Sequence, residues 1–389
     1  MDNDIRFIKG EGGLARPLPG KDHYSGIAYY AEEGTTAPAG WNYGEPQQVF
    51  SLPDMAAKGI NAETSGFAVL HYHVKAFFSI NPGASLWIVL QDMPESGQPD
   101  YAEIDDLMNE KADIRQIGVY IPMAFASTMV GSLQAKAESM EAAHKPIQIV
   151  LQPTWHTISI GVLDDLRLLT SPKVAVCIAQ DSTDEVIELM GSDTSPGALG
   201  TALGIISLAA VNECIGWVGR FDITGANGAW DIPALGDGTL IKTLTDTEID
   251  TLNAKGYLVV TKRIGLSGSW FYDSPTCIVA TSDYAYIENN RTIDKAIRGM
   301  YAYMLPEVNS PARVSGDGKL APDYVKYMES VASKALVQME RNGELSAFYI
   351  SINPDQDVLS TSKLEVTVVL VPVGVNRKIE ITIGFGLSI

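Results

Sequence analysis

The segment Leu86-Trp-Ile-Val-Leu90 is a continuous run of large apolar residues with no polar side chain between them. A strand that faces solvent on one side alternates apolar and polar residues, whereas a strand buried on both faces does not. The run Val174-Ala-Val-Cys-Ile-Ala179 has the same character. Both segments therefore predict strands of a sheet that is covered on its two faces.

Strand-like and helix-like patterns alternate outward from these two runs. The predicted strands are Gly26–Ala31, Leu86–Leu90, Ile117–Ile121, Ile147–Leu151, Val174–Ala179 and Tyr257–Lys262. The predicted helices begin at Ser51 or span Phe67–Ile80, Tyr101–Ala112, Ser127–Ala143, Pro196–Asn212 and Thr245–Lys255. This alternation indicates an α/β fold in which helices flank a mainly parallel sheet. We assign residues 24–285 to this core domain and the Gly/Pro-rich residues 1–23 to an extended N-terminal arm.

The C-terminal part of the chain has a different order of elements. Two predicted helices, Thr292–Leu305 and Pro322–Arg341, come first, and only strands follow them. These strands are Leu345–Ile352, one with alternate apolar residues from Leu364 to Leu370, and a last one with Ile379, Ile381, Ile383 and Phe385 on one face. The order predicts an α+β module over residues 286–389, with residues 376–389 as a terminal strand or arm. A terminal strand that finds no partner presents an open edge.

The first helix of this module lies in Asn290–Pro311, NRTIDKAIRGMYAYMLPEVNSP. Ile293, Ile297, Tyr301 and Leu305 recur every fourth residue and predict one apolar stripe. Arg291, Asp294, Lys295 and Arg298 fall on other faces, so we expect a packing helix with a charged outer face.

Charge and composition exclude several functional classes. The 389 residues carry a net charge of −19, which argues against nucleic acid and against an anionic membrane surface as partners. The apolar stretch from Gly197 to Val218 contains Asn212 and Glu213, so we predict a buried helix there instead of a membrane span. Cys177, Cys214 and Cys277 are widely spaced and are expected to be buried thiols.

Acidic residues follow two of the predicted strands. Asp92 comes after Leu90, and Asp181 comes after Ala179. Ligands of open α/β sheets bind beyond the carboxyl ends of the strands, so this pair would suit a Mg²⁺ site or acid–base catalysis. The alternative, which we favour, is that they cap helices or hold loops, because no nucleophile or phosphate-binding loop accompanies them. His71 and His73 point to different sides of a helix, so they are not expected to share a metal ion. We also expect no other cofactor.

The segment around Asn290–Pro311 carries the most specific resemblance to a known family. The resemblance begins with Asp283-Tyr-Ala-Tyr-Ile-Glu-Asn-Asn-Arg-Thr-Ile-Asp294 and continues in Leu305-Pro-Glu-Val-Asn-Ser-Pro311. Together with Ile8-Lys-Gly-Glu-Gly-Gly-Leu14 near the N-terminus, it resembles the contractile tail sheath proteins of phages and related injection systems. The resemblance is strongest to the short sheath-like proteins of Bacteroidetes prophages, and it extends over nearly the whole chain.

The resemblance implies a non-catalytic core of subtilisin-like topology in a subunit that polymerises around an inner tube and contracts to drive it. Neighbouring subunits would share strands through their N- and C-terminal arms. The implied partners are further copies of the chain, the inner tail tube protein, and baseplate and tail terminator proteins. The implied location is the bacterial cytoplasm during assembly and then the virion tail or injection particle.

Candidate subunit contacts come from the two arms and from the helix of the C-terminal module. They are Ile5, Phe7, Ile8, Arg291, Lys295, Arg298, Ile379, Ile381, Ile383 and Phe385. Two alternatives stay open from the sequence. One is an α/β enzyme that uses Asp92 and Asp181, and the other is a different assembly protein such as a capsid or baseplate component.

Overall fold

The computed structural model describes residues 21–95, 97, 99–191 and 195–385. The helices in this part of the chain are α1 (Leu52–Ala57), α2 (Ala68–Ile80), α3 (Ala102–Glu110), α4 (Ser127–Ala142), α5 (Asp184–Leu189), α6 (Leu199–Leu208), α7 (Asp246–Ala254), α8 (Ile287–Met304), α9 (Pro322–Arg341) and α10 (Val358–Thr361). The strands are β1 (Ser25–Ala31), β2 (Gln47–Val49), β3 (Leu86–Asp92), β4 (Gln116–Ala124), β5 (Gln148–Thr154), β6 (Thr170–Ser171), β7 (Val174–Cys177), β8 (Ala179–Asp181), β9 (Pro233–Leu235), β10 (Tyr257–Leu258), β11 (Val260–Thr261), β12 (Trp270–Phe271), β13 (Cys277–Ile278), β14 (Leu345–Ser351) and β15 (Thr367–Pro372).

A mostly parallel sheet forms the centre of the molecule. Its strand order is β10-β7-β5-β4-β1-β3-β2. All neighbours run parallel except β2, which joins the β3 edge antiparallel. Residues Leu86–Leu90 of β3 and all of β7 are buried. The α/β prediction drawn from these two apolar runs is therefore confirmed.

Helices cover both faces of this sheet, so each strand feeds two cores. Ile27 and Ile88 point to one face, where Leu203 of α6 joins them. Val89 points to the other face, in the same core as Leu133 of α4. Helices α2 and α6 occupy the first face, and α3, α4 and α7 occupy the second. Successive strand residues alternate between the two cores because side chains point to opposite faces of a sheet.

Helices α2 and α6 approach each other at backbone distance. A Cβ atom added to Gly200 would lie 2.0 Å from the carbonyl oxygen of His73. No side chain fits at that distance, so only glycine permits this helix contact. The predicted buried helix in the stretch after Gly197 is confirmed, since Leu199–Ser207 are all buried.

Several helix ends are where the sequence predicts them. Thr245 and Glu248 form the expected capping box of α7, and Gly256 follows with a φ of +91°. The side chain of Ser51 accepts a hydrogen bond from the Asp54 backbone at the start of α1. Helix α9 has the predicted bounds, with Pro322 in its first turn. These capping patterns satisfy backbone groups that a helix end leaves unpaired.

Other boundaries differ from the predictions. Helix α6 begins at Leu199 instead of Pro196, because Gly197 has a φ of +72°, which no helical turn accepts. Helix α8 begins at Ile287, five residues before the predicted Thr292. The predicted strand Tyr257–Lys262 divides into β10, which joins the central sheet, and β11, which pairs with β12.

The C-terminal part begins with the two predicted helices and continues with strands, but the short helix α10 between the strands was not predicted. Strands β14 and β15 pair antiparallel, and α10 lies between them in the chain. Their inner face, with Phe348 and Leu370, packs against Ala296 of α8 and Leu336 of α9. This small core is distinct from the two cores of the central sheet.

Candidate assembly site

The position where open α/β sheets bind ligands is filled with side chains. Strand order reverses between β1 and β4, and a ligand would enter between the carboxyl ends of such strands. Here Tyr29 of β1 stacks on Tyr120 of β4, with 4.9 Å between ring centres. The ring of His73 lies 5.6 Å from that of Tyr120, and burial lowers the pKa of His73 to about 3. The crevice is therefore an aromatic core that contains a neutral imidazole.

The polar residues at the strand ends hold the start of α6. The side-chain oxygen of Gln152 accepts a hydrogen bond from the Ala198 backbone N–H at 3.0 Å. The side-chain oxygen of Gln180 accepts from the Gly197 N–H at 3.2 Å. Both glutamines are buried and satisfy backbone donors that a helix start leaves unpaired. Helix capping at the strand ends was expected from Asp92 and Asp181, whereas here the two glutamines provide it.

Asp92 and Asp181 do not form a joint site. Strand β7, which leads into β8 and Asp181, lies four strand spacings from β3 and Asp92, or about 19 Å at the usual spacing. Asp92 accepts a hydrogen bond from the Gly34 N–H at 3.3 Å. Asp181 accepts from the N–H groups of Ser182 and Trp230 at 2.7 Å and 3.0 Å. Each carboxylate thus holds a local loop, and the two-carboxylate enzyme hypothesis is wrong.

A groove of about 630 Å³ lies beside Asp181, between α2, the start of α5 and residues 223–232. Its rim is acidic, with Asp184, Glu185 and Asp231. No group of three or more potential metal ligands occurs among the residues that the structure describes. Within the same residues, no helix combines the length and apolar character needed to cross a membrane. Cys177, Cys214 and Cys277 are buried thiols, as predicted.

The sheet of β14 and β15 has an exposed outer face, whereas helices cover both faces of the central sheet. In the described part of the chain it has two strands only, so each strand has one free edge. Its outer face is apolar and accessible, since Tyr349, Val369 and Val371 are 63%, 52% and 47% exposed. Unpaired strand edges with apolar neighbours readily accept another strand. This hairpin therefore has the geometry of an acceptor for strand addition.

The segment that follows β15 is irregular and largely exposed among the described residues. The structure gives residues 373–385 no helix or strand, so the strand predicted at Ile379–Phe385 is not formed within the chain. Ile379, Ile381, Ile383 and Phe385 are between 75% and 109% exposed. Their alternation with polar residues suits a strand, but a strand needs a partner for its backbone hydrogen bonds. We define residues 379–385 as the tip segment.

One side chain ties the root of this segment to the core. The Arg377 Nε lies 3.0 Å from both carboxylate oxygens of Asp273, and its guanidinium also pairs with Glu288 of α8. The guanidinium carbon lies 3.4 Å from the centre of the Tyr286 ring. Burial would lower the pKa of Arg377, but the charges of Asp273 and Glu288 outweigh it and raise that pKa. Arg377 is therefore held in the charged form by two carboxylates.

Helix α8 has a buried charged face, contrary to the predicted charged outer face. Arg291 and Asp294 are buried, whereas the predicted stripe residues Tyr301 and Leu305 are 38% and 49% exposed. Arg291 donates to the carbonyl oxygens of Ala209 and Ala210, and Asp294 pairs with Lys173. The interpretation of the stripe as the buried face is thus wrong. Partners from distant parts of the chain compensate the buried charges, and helix periodicity does not reveal such partners.

Lys295 and Arg298 meet acidic residues of their own chain. The Lys295 ammonium lies 2.6 Å from Asp22 and 2.6 Å from Glu344, and Arg298 lies 3.5 Å from Asp22. Burial would raise the pKa of Asp22, but Lys295, Arg291 and Arg298 together lower it. Contact of these three basic residues with an acidic neighbour in a polymer stays a prediction. Ile5, Phe7 and Ile8 lie outside the described residues.

Helix α8 therefore contacts residues near both ends of the described part of the chain. Its Glu288 holds Arg377 at the start of the C-terminal segment. Its Lys295 holds Asp22, the second residue of the part of the chain that the structure describes. Helix α8 thus contacts Asp22, an anion held by basic residues, and Arg377, a cation held by two carboxylates.

Two family models match the sequence. The model described as DUF2586, N-terminal domain, matches residues 3–275, and the model described as DUF2586, C-terminal domain, matches residues 283–389. No curated protein matches the sequence.

Solved structures similar to this one include a prophage baseplate, a contractile injection system and a sheath tail protein. A chain of the anti-feeding prophage baseplate has 14% sequence identity and a TM-score of 0.64, with 98% of this chain and 99% of that chain covered. The contracted sheath complex of PVC, an extracellular contractile injection system, gives 12% identity and a TM-score of 0.64, with 100% and 98% covered. The sheath tail protein of Desulfitobacterium hafniense gives 9% identity and a TM-score of 0.54, with 94% and 100% covered. At these identities the likeness establishes a shared fold over nearly the whole length of each chain.

Proposed function

This chain belongs to the DUF2586 family, and from that premise we propose that it is the structural subunit of a contractile sheath. In this proposal many copies polymerise around an inner tube and contract to drive it. The likeness of fold to sheath proteins over the full length supports the proposal. The observation that carries it is the apolar tip segment, which has no strand partner in its own chain although its sequence alternates like a strand.

Strand sharing would connect the copies. The tip segment of one subunit would add to a free edge of the β14–β15 sheet of a neighbour, with Ile379, Ile381 and Ile383 placed on its apolar side. Each main-chain hydrogen bond gained in this way contributes roughly 0.5–1.5 kcal/mol net. The apolar side chains add to this because they are exposed in the single chain. Ile5, Phe7 and Ile8 are proposed to act similarly from the N-terminal arm.

The covered core would act as the rigid part of the subunit. Its ligand crevice is occupied by aromatic rings, and its strand ends hold helix α6. Residues 24–285 would form this core, with the subtilisin-like topology that the family resemblance implies and no catalytic role. Residues 286–389 would form the linking module. The terminal segments would keep neighbours connected while the cores change their spacing during contraction.

The partners in this proposal are further copies of the chain, the inner tube protein, and baseplate and terminator proteins. Assembly would take place in the bacterial cytoplasm, and the product would be a phage tail or injection particle. The net charge of −19 would make acidic faces repel each other across an extended sheath. Salt screens such repulsion between exposed charges, so contraction is expected to depend on ionic strength.

Electron microscopy of the purified chain tests this function. We expect long hollow cylinders from the full chain, whereas closed shells would indicate a capsid protein and contradict the proposal. A chain truncated after Lys378 lacks the tip segment but keeps Arg377 in place. It should stay folded, with an unchanged circular dichroism spectrum, and form no cylinders. Normal cylinders from this truncation would exclude strand sharing through the C-terminus.

A further inference from the structure

We propose that Asp273, Glu288 and Tyr286 form a guanidinium-binding site on the core, whose ligand is Arg377, and that this one side chain anchors the C-terminal segment. The contact divides the segment into a fixed root, residues 373–377, and a free tip. The inference concerns the single chain, so it does not depend on the sheath function.

The site has the composition that a guanidinium group requires. Asp273 accepts from the Arg377 Nε with both oxygens at 3.0 Å, and Glu288 accepts from a terminal nitrogen. The ring of Tyr286 lies under the planar cation. Charged hydrogen bonds to two carboxylates combined with stacking on an aromatic face suit arginine and not lysine, whose ammonium is a point charge without a flat surface.

The two carboxylates of the site are held in place by contacts that do not involve Arg377. Asp273 and Glu288 are 7% and 2% exposed. Ser274 donates its hydroxyl to Glu288 at 2.5 Å, and its backbone N–H donates to Asp273 at 2.8 Å. These bonds fix both carboxylates within the core domain and α8, independently of the C-terminal segment. Two buried carboxylates side by side are unfavourable unless a cation compensates them, so the empty site would favour rebinding of Arg377.

Little else in the described residues holds this segment. The side chain of Lys378 pairs with Glu380 of the same segment, and both are largely exposed. The tip segment beyond them is exposed. The anchor therefore sets the length of chain that is free to move. Within the described residues, the eight from Lys378 to Phe385 span at most about 26–29 Å, whereas the thirteen that begin at Val373 would span about 43–47 Å. If the sheath function holds, Arg377 would limit how far the arm reaches toward a neighbour.

Hydrogen exchange of the unassembled chain locates the anchor. In the wild type, the Arg377 N–H, which donates to the Val375 carbonyl oxygen, should be protected, and exchange should be fast beyond it. In Arg377→Ala, the amide of residue 377 should exchange about 10- to 100-fold faster, as expected for loss of the charged hydrogen bonds that hold this turn. Arg377→Lys should behave nearly like Arg377→Ala, and the matched control Lys378→Ala should behave like the wild type. Unchanged exchange in both Arg377 variants would overturn the proposal.

Chemical rescue tests the chemistry of the site. Methylguanidinium at low millimolar concentration should raise the Tm of Arg377→Ala and leave the wild type unchanged, while methylammonium should have no such effect on either. If Arg377→Ala folds poorly, the double variant Arg377→Ala with Glu288→Gln removes one uncompensated charge. That variant should fold, release residues 373–377 and lose most of the rescue. Equal effects of methylguanidinium and methylammonium on Arg377→Ala would exclude a guanidinium-specific site.

Discussion

The central sheet is covered by other parts of the chain on both faces, whereas the β14–β15 sheet is covered on one face only. The central sheet has helices on both faces, aromatic rings at its ligand crevice and glutamines on its strand ends. The β14–β15 sheet has one apolar face exposed, and among the described residues both of its strands are edge strands. In the proposed assembly, the core is complete as a single chain, whereas the C-terminal module gains strands from its neighbours.

Changes on the apolar side of the tip segment should have the largest effect. Ile381→Lys combined with Ile383→Lys places two charges on the side that would face a neighbour's sheet. We expect no cylinders by electron microscopy, because buried and unpaired charges oppose strand addition. The matched control, Glu380→Lys with Thr382→Lys, changes the opposite side of the same segment and should still assemble. Equal assembly of both double variants would remove the distinction between the two sides.

Substitutions at two glycines test whether the backbones of α2 and α6 must stay in direct contact. Gly200→Ala should destabilise the chain by about 3–5 kcal/mol, because the added methyl would meet the His73 carbonyl and separate α2 from α6. Gly131 lies in α4 with open space around it, so Gly131→Ala should be neutral or stabilise by about 0.5–1 kcal/mol. Urea unfolding of both variants measures the difference. A small effect at Gly200 would show that the helices can move apart at little cost.

The Asp22 contacts test how firmly the N-terminal root is held to α8. Asp22→Asn should lower the free energy of unfolding by about 1–3 kcal/mol at pH 7, since Lys295 and Arg298 lose a charged partner. The pKa of Asp22 is lowered below its ordinary 3.8. Its contribution is therefore fully present above that pH and is lost as the pH falls through the folded-state pKa.

Unfolding of both proteins at pH 7 and near pH 2.5 should show that the difference narrows on acidification. Asp283→Asn, at an exposed position, is the control and should be neutral. A difference that widens at low pH would contradict the assigned direction of the pKa shift.

The smallest effect is expected at Glu103, a buried carboxylic acid of α3. Burial raises its pKa to about 7, so the folded chain holds the proton more tightly than the unfolded chain. Stability is then lost as the pH rises from about 4.5 through 7. Glu103→Gln should be more stable than the wild type by about 1–2 kcal/mol at pH 8, and this advantage should shrink at pH 5. An advantage that is greater at pH 5 would refute the assignment.

Local patterns predicted much of the fold. The apolar run Leu86–Leu90 indicated a strand covered on both faces, and the capping box at Thr245 fixed the start of α7. These features depend on neighbouring residues only. The start of α6 was missed because Gly197 adopts a left-handed conformation, which lets Gln152 and Gln180 cap the helix from distant strands.

The candidate site was harder to predict because its contacts join distant parts of the chain. Arg291 and Lys295 were expected to face outward, but both donate hydrogen bonds to Asp22 of the same chain. Asp22 lies more than 260 positions earlier, so no local pattern links it to helix α8. Arg377 was missed because a single arginine in a polar segment carries no local signal. The alternation from Ile379 to Phe385 was recognised, but periodicity states only that a strand is possible and does not supply its partner.

Hydrogen exchange at residues 379–385, compared between the unassembled chain and the assembled particle, tests the central claim most directly. A strand added to a neighbour's sheet has backbone N–H groups in hydrogen bonds, whereas an exposed segment does not. If strands are shared, the tip segment should exchange fast in the single chain and be strongly protected in the particle. Protection in the single chain, or fast exchange in assembled cylinders, would contradict it.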